Sequence, residues 1–205
     1  MKKIILFSLL LSNFCCAQGD TTNANKWKYG INVSLLVPRY IDAALFPSFV
    51  MSKGKHTFSI GPKVFLDYYY NTPYGADVNY KLAPGKVNKI INFYFTGHCS
   101  YEYSKNSRDY ETYDYASGKY YTVNQTSKYN YLAFYIGYGF DVKFLKRLHL
   151  NQFFALGPMF NSYLYKYKYD NDPSKNYERS GKLFSNINLD YIFNLGLGVD
   201  LGKIR

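Results

Sequence analysis

Tryptophan occurs once in this chain of 205 residues, and of its three cysteines two fall within the first sixteen positions. No apolar run reaches the ~20 residues that a helix needs to cross a bilayer. Acidic residues are also few, 14 against 25 Lys and Arg, which leaves a net charge of +11. Each scarcity excludes something. Without long apolar runs, no membrane-spanning helix is expected. With Cys15 and Cys16 in a cleavable leader, only Cys99 stays in the mature chain and no internal disulfide can form. An exported domain of that kind has to be held by its core or by a closed hydrogen-bonded sheet. His56, His98 and His149 are dispersed, and no Gly-rich phosphate loop opens a helix, so neither a metal site nor a cofactor is expected.

What is present begins with a leader. Lys2 and Lys3 precede an apolar stretch from Ile4 to Leu11, and the small Ala17 precedes Gln18. This is the pattern of a secretory signal peptide over residues 1–17. The apolar stretch is roughly half of a spanning helix, which favours a cleaved leader over an anchor. The residues before Cys15 (Ser12, Asn13, Phe14) and before Cys16 (Asn13, Phe14, Cys15) lack the small residue of a bacterial lipobox, so cleavage after Ala17 is preferred to lipidation. Losing Lys2 and Lys3 lowers the net charge from +11 to +9. In an exported protein the counter-charge is anionic lipid head groups or surface polysaccharide. Nucleic acid is not expected as a partner, since the longest basic cluster, Lys143 to Arg147, is interrupted by Phe144 and Leu145.

Aromatic residues are abundant, 25 Tyr and 16 Phe, and they sit in alternating patterns. From Leu183 to Leu201 every second residue is apolar except Ser185: Ile187, Leu189, Tyr191, Phe193, Leu195, Leu197, Val199 and Leu201, with Asn, Asp and Gly mostly between them. Period two is the mark of a strand, whose successive side chains point to opposite faces. Trp27 to Val37 repeats the pattern, as do Phe58 to Tyr68, Ile91 to Tyr103 and Leu132 to Val142. Between Leu148 and Tyr169 the phase blurs, with Gln152 and Pro158 among the apolar set and Phe153 and Met159 among the polar one.

Strands are expected near 26–37, 44–52, 57–70, 75–83, 88–104, 127–142, 148–168 and 183–202. Their links alternate between short turns, as at Lys53 to His56, Pro84 to Val87 and Lys143 to Arg147, and longer polar loops, as at Lys105 to Thr126 and Asp170 to Gly181. That asymmetry and the aromatic content fit an all-β fold, an antiparallel up-and-down transmembrane β-barrel of eight strands, with ten as the alternative. The domain spans 26–205, and residues 18–25 form a short periplasmic segment ahead of it. The longest loop carries a hairpin of its own, Tyr113, Tyr115, Tyr120 and Tyr121 flanking the turn Ala116 to Lys119. These tyrosines are candidates for a contact surface for sugar or protein, since Tyr offers flat area with a polar end at low entropic cost.

The stretch Asn194, Leu195, Gly196, Leu197, Gly198, Val199, Asp200, Leu201 is similar to the terminal-strand signal read by the bacterial barrel assembly machinery, with Asn194, Gly196, Val199 and Leu201 at its marked positions. The family's strands usually end on an aromatic residue, whereas this chain runs on to Lys203, Ile204 and Arg205. With its leader, its alternating strands, the Ala17–Gln18 step and the repeated Gly-Pro at Gly61–Pro62 and Gly157–Pro158, the chain resembles small porin-like outer-membrane β-barrel proteins of Bacteroidetes type. The resemblance implies residence in the outer membrane of a Gram-negative cell, with membrane lipid, lipopolysaccharide and the assembly machinery as partners.

Eight strands enclose an interior just wide enough for side chains, so Lys63, Asp67, His98, Glu102, Asp141 and Asp190 are expected to form an inward polar network that plugs it. The expected function is structural or surface-binding and not enzymatic. A narrow pore is one alternative. Another is a lipid A deacylase-like enzyme, because His98, Ser100 and Glu102 lie two apart on one strand face. In-line side chains on one strand sit ~7 Å apart, too far for a direct Ser to His hydrogen bond. A third alternative is a soluble secreted barrel with its apolar face turned inward around a ligand. The strand centres' polar faces, rich in Asn, Ser, Gly and Thr, suit a crowded interior better than a solvated exterior.

Overall fold

The computed structural model describes residues 13–14, 26–39, 43–66, 74–84, 90–145, 147–170 and 172–202. The strands are β1 (Asn13–Phe14), β2 (Lys28–Pro38), β3 (Ala44–Lys53), β4 (His56–Phe65), β5 (Tyr74–Leu82), β6 (Ile91–Asp114), β7 (Lys119–Lys143), β8 (Leu148–Tyr169), β9 (Tyr177–Gly181) and β10 (Ile187–Gly202). Pro173–Lys175 and Leu183–Ser185 are single 3-10 turns. Of the expected leader only β1 is described, a two-residue parallel bridge to Leu197 and Gly198. The rest of 1–17, the segment 18–25, Asp67 and the tail Lys203 to Arg205 lie outside the described residues.

From β2 to β10 the strands form one antiparallel sheet of nine that closes in a ring. Each strand from β2 to β8 pairs with the next, and β10 completes the circuit. It runs against β8 from Ile187↔Phe160 to Val199↔Leu148 and meets β2 at Asp200↔Gly30. Farther along the same seam, the Arg39 N–H donates to the Tyr191 carbonyl at 3.1 Å. β9 lies on the same edge of β8 as β10 but higher, against Tyr163 to Tyr167. The nine strands therefore occupy eight lanes, the last lane broken by the Leu183–Ser185 turn.

The expected terminal strand, 183–202, begins instead at Ile187. Its alternation lapses at Ser185, and there the backbone turns. Residues 105–126 are not a loop either. β6 and β7 continue through them, with rungs from Ser104↔Tyr129 to Asp114↔Lys119. Polar composition disguised the strands, because their cross-strand partners are themselves polar. Arg108 Nε and Nη2 donate to Gln125 Oε1 at 3.0 and 2.9 Å, and Asn124 Nδ2 donates to Asp109 Oδ1 at 2.6 Å. Such pairs stabilise a ladder as apolar ones do. The turn itself spans 115–118, with Gly118 at φ +66°, a left-handed conformation that costs glycine nothing. Likewise Asp170 to Gly181 is not simply a loop, since it contains β9.

The two faces of the ring differ sharply. Outward positions are apolar and exposed: Phe95 is 60 % exposed, Ile136 78 % and Leu189 68 %. Inward positions mix polar groups with a buried apolar cluster of Leu36, Phe46, Tyr94, Ala133, Tyr135, Phe153, Ala155, Met159 and Ile192. This cluster explains the blurred phase of β8. Phe153 and Met159 point inward into it, while Phe154 and Leu156 face outward as the alternation requires.

Strong curvature brings neighbouring backbones close. A Cβ on Gly157 would sit 1.9 Å from the Phe134 carbonyl oxygen, whereas one on Gly97 would meet nothing within 4 Å. Gly157→Ala is therefore expected to lower stability by ~1–3 kcal/mol through overpacking that the closed ring cannot relax. Gly97→Ala is expected to leave it unchanged. Urea unfolding of the two variants measures the contrast, and coincident midpoints would refute it.

Candidate functional site

Two regions gather chemistry-bearing side chains: the ring interior, and the tall sheet that β6 to β9 raise above one rim.

In the interior, Lys63 on β4 reaches across β5 to β6, where its ammonium donates to Ser100 Oγ at 3.0 Å and to the Glu102 carboxylate. Asp77 on the intervening strand lies 3.9 Å from Lys63 Nζ, and its other oxygen is 3.6 Å from His98 Nε2. These five side chains are buried together on the β4–β6 wall. Toward the turn-bearing rim, Lys81 Nζ approaches Asp141 at 3.7 Å, and Asn151 donates to the same carboxylate. On the opposite wall the Tyr135 hydroxyl crosses β8 to donate to Asp190 Oδ2 at 2.8 Å, while Asp190 Oδ1 accepts from the Arg39 N–H at 3.2 Å. Lys63, His98, Glu102, Asp141 and Asp190 thus all face the interior, in three clusters rather than one network.

The sequence reading passed over Asp77, Lys81 and Tyr135. A signal for the first two was present, since Asp77, Asn79 and Lys81 alternate with the apolar Val78, Tyr80 and Leu82. Ser100 has Lys63 as its neighbour and His98 has Asp77, so the His98, Ser100, Glu102 row is bound up in charge pairing across strands. Cys99 lies on β6 between His98 and Ser100, on the opposite face. Among the described residues no three or more His, Cys, Asp or Glu side chains converge as a metal-ion site.

The raised sheet is dominated by tyrosine. At its tip Tyr113 packs against Tyr115 and Tyr120, with ring centroids 5.0 and 4.8 Å apart, and all three are exposed. Tyr121 lies on the other face, only 7 % exposed, beneath the Lys175 ammonium 4.2 Å from its ring and beside Tyr169. Lower down, a run of rings follows β8: Tyr163 contacts Tyr165, Tyr165 contacts Tyr167, and Tyr167 stacks on Tyr177 of β9 at 4.3 Å. A cavity of about 410 Å³ opens at the foot of this sheet, between β7, β8 and the start of β10. Asn194 and Gly196 point into the ring from β10, whereas Val199 and Leu201 point out.

No protein-family model, curated protein or solved structure matches this chain. Among the described residues no helix is long and apolar enough to cross a membrane, which leaves strands unaddressed.

Removing Lys63 strands the buried Glu102 charge, and breaking a buried pair from one side costs ~3–5 kcal/mol. Lys63→Met is therefore expected to destabilise the fold by that amount, and adding Glu102→Leu to recover part of it. Unfolding midpoints of the single and double variants measure this, and a double variant less stable than Lys63→Met would contradict it.

The tip gives a pH prediction. Lys175 and Ser117 side chains and the Ala116 N–H all donate to Asp114, holding its carboxyl at about 2 against an ordinary 3.8. Because the folded value lies below the unfolded one, the stabilisation is present above the ordinary carboxylate range and is lost as pH falls through about 2. A nuclear magnetic resonance titration of the Asp114 carboxyl should show that low midpoint, and an ordinary one would refute the tie to Lys175.

Proposed function

We propose that this chain is a small, non-enzymatic outer-membrane β-barrel protein that presents its tyrosine-rich sheet to the cell exterior as a binding surface. The observation that carries the reading is the apolar outer face. Soluble monomers rarely expose apolar patches beyond a few hundred Å². Here exposed Ile31, Phe49, Ile60, Val78, Phe95, Ile136, Leu156 and Leu189 represent all eight lanes of the ring. A lipocalin-type soluble barrel needs the reverse, apolar inside and polar outside.

Strand lengths agree with this setting. β3, β4 and β5 contain 10, 10 and 9 residues, as a tilted strand needs to span the ~30 Å hydrocarbon layer. Aromatic side chains border the apolar band at both ends, with Trp27, Tyr29 and Tyr80 toward the turn-bearing rim and Tyr74, Tyr101 and Phe184 toward the other. Amphipathic rings are stable at such interfaces. The proposed leader over 1–17 would export the chain, the Asn194 to Leu201 strand would serve as its assembly address, and the net positive charge would favour anionic lipid and lipopolysaccharide. The packed interior supports a scaffold over an open pore, and the tall sheet from β6 to β9 supplies the exposed binding face.

Membrane fractionation combined with gel migration in detergent tests the proposal. A membrane-bound protein that migrates faster unboiled than boiled is the expected result. Recovery in the soluble fraction with identical migration either way would sink it.

A further inference from the structure

The cavity at the foot of the raised sheet has an unusual lining. It is walled by the rings of Tyr129, Tyr131 and Tyr163 and by Asn161, Asn186 and Asn188, and among the described residues no charged side chain takes part. Tyr129, Tyr131, Asn161 and Tyr163 belong to the inward-facing phase of β7 and β8, so the cavity forms the mouth of the ring above Met159 and the Tyr135–Asp190 hydrogen bond. At about 410 Å³ it falls within the ~300–1,000 Å³ of small-molecule sites.

The break in the last lane builds this place. β9 ends at Gly181, where a Cβ would come within 2.5 Å of the Tyr163 ring and 3.0 Å of Asn186 Nδ2. Glycine there leaves room for both. The 3-10 turn Leu183–Ser185 then delivers Asn186, whose carbonyl accepts from the Asn161 N–H at 3.2 Å, and so fixes the two opposing walls. Tyr129 and Tyr131 stack nearly parallel, their planes 7° apart, and Tyr129 is further held by a hydroxyl-to-hydroxyl bond with Tyr165. The aromatic faces are thus fixed in place before any ligand arrives, which lowers the ordering cost of binding. The amides of Asn161, Asn186 and Asn188 make no internal side-chain hydrogen bond among those described, and each amide presents both a donor and an acceptor.

Flat aromatic faces take up the C–H-rich face of a pyranose ring, and amides match the paired donor and acceptor character of its hydroxyls. Among the described residues neither Lys nor Arg lines the cavity to pair with a phosphate, sulfate or uronate. We propose that this cavity binds an uncharged saccharide, an inference that rests on the surface-binding reading and supplies its ligand class.

The test is calorimetric titration of the refolded full chain in detergent micelles with cellotriose, maltotriose, mannotriose and diacetylchitobiose, alongside a glucuronate-containing oligosaccharide and adenosine. Saturable binding of at least one neutral sugar is expected, with weaker or no binding of the other two probes. Tyr163→Ala and the exposed Asn188→Ala should each weaken it about tenfold, the change that loss of one ~1.4 kcal/mol contact produces. Gly97→Ala, on the outer face of β6 and away from the cavity, should bind as the unaltered protein does. Heat-dependent gel migration of every variant confirms its fold before titration. No saturable binding of any neutral sugar overturns the inference. So does preference for the uronate or for adenosine, or unaltered affinity in both cavity variants. Because membrane residence is read by fractionation and not by titration, a protein that fractionates as expected but binds no sugar loses the saccharide site alone.

Discussion

Closure of the sheet through β10 is the constraint on which the rest of the structure depends. With a continuous ladder to β8 on one side and rungs to β2 at Asp200 and Gly202 on the other, the last strand closes the described strands into a ring. Eight lanes make a tight circle, and tight curvature decides what the interior can hold. Interior links reach over an intervening strand: Lys63 on β4 to Glu102 on β6, Lys81 on β5 to Asp141 on β7, Tyr94 on β6 to the Gln152 carbonyl on β8, and Tyr135 on β7 to Asp190 on β10. A side chain standing on the concave face of a narrow ring meets its second neighbour more readily than a partner straight across. The chords that result tie alternate strands together and supplement the ladders.

The same geometry accounts for the division of residue types. Inside, Lys63, Asp77, Lys81, Glu102, Asp141 and Asp190 each have an opposite charge or a hydrogen-bond donor within reach, because an unpaired buried charge is the more expensive alternative. The apolar cluster around Phe153 and Tyr135 fills space that polar groups alone would leave unsatisfied. Outside, the apolar side chains touch only their neighbours on the same face, as Phe134 does Phe160 and Phe154 does Tyr191, and much of their surface stays exposed. The ring is thus tied together by its backbone ladders while its outer apolar surface stays uncovered, a combination that the proposed membrane setting would satisfy.

The alternation made the ring legible in the sequence. The chain's periodicity placed a strand in every lane, with β2, β3, β5 and β8 within two residues of their observed bounds, and assigned the inward and outward faces, including that of the final strand. Polar residues concealed the upper parts of β6 and β7, since Asn, Arg, Gln and Thr read as loop until their cross-strand partners are known. The interior pairings were also out of reach. Lys63 and Glu102 are 39 residues apart and Tyr135 and Asp190 are 55 apart, so which charge meets which depends on register between strands rather than on any local pattern. The cavity was hidden for a related reason, because its tyrosines and asparagines come from β7, β8, β10 and the residue just before β10, and the single lapse at Ser185 does not say which side chains the turn brings together.

Above the ring, closure ends. β5 accompanies β6 only as far as Tyr103, so beyond that rung β6 has β7 on one side and, among the described residues, no strand on the other. β9 likewise pairs, among the described residues, with β8 alone. Among the described residues the raised sheet therefore carries two open borders, and a border that is flat and apolar invites a second chain to add itself strand by strand. These borders are instead studded with Lys105, Arg108, Asp109 and Glu111 on one side and Glu178 and Arg179 on the other. Charge of both signs on each border makes indiscriminate strand addition costly.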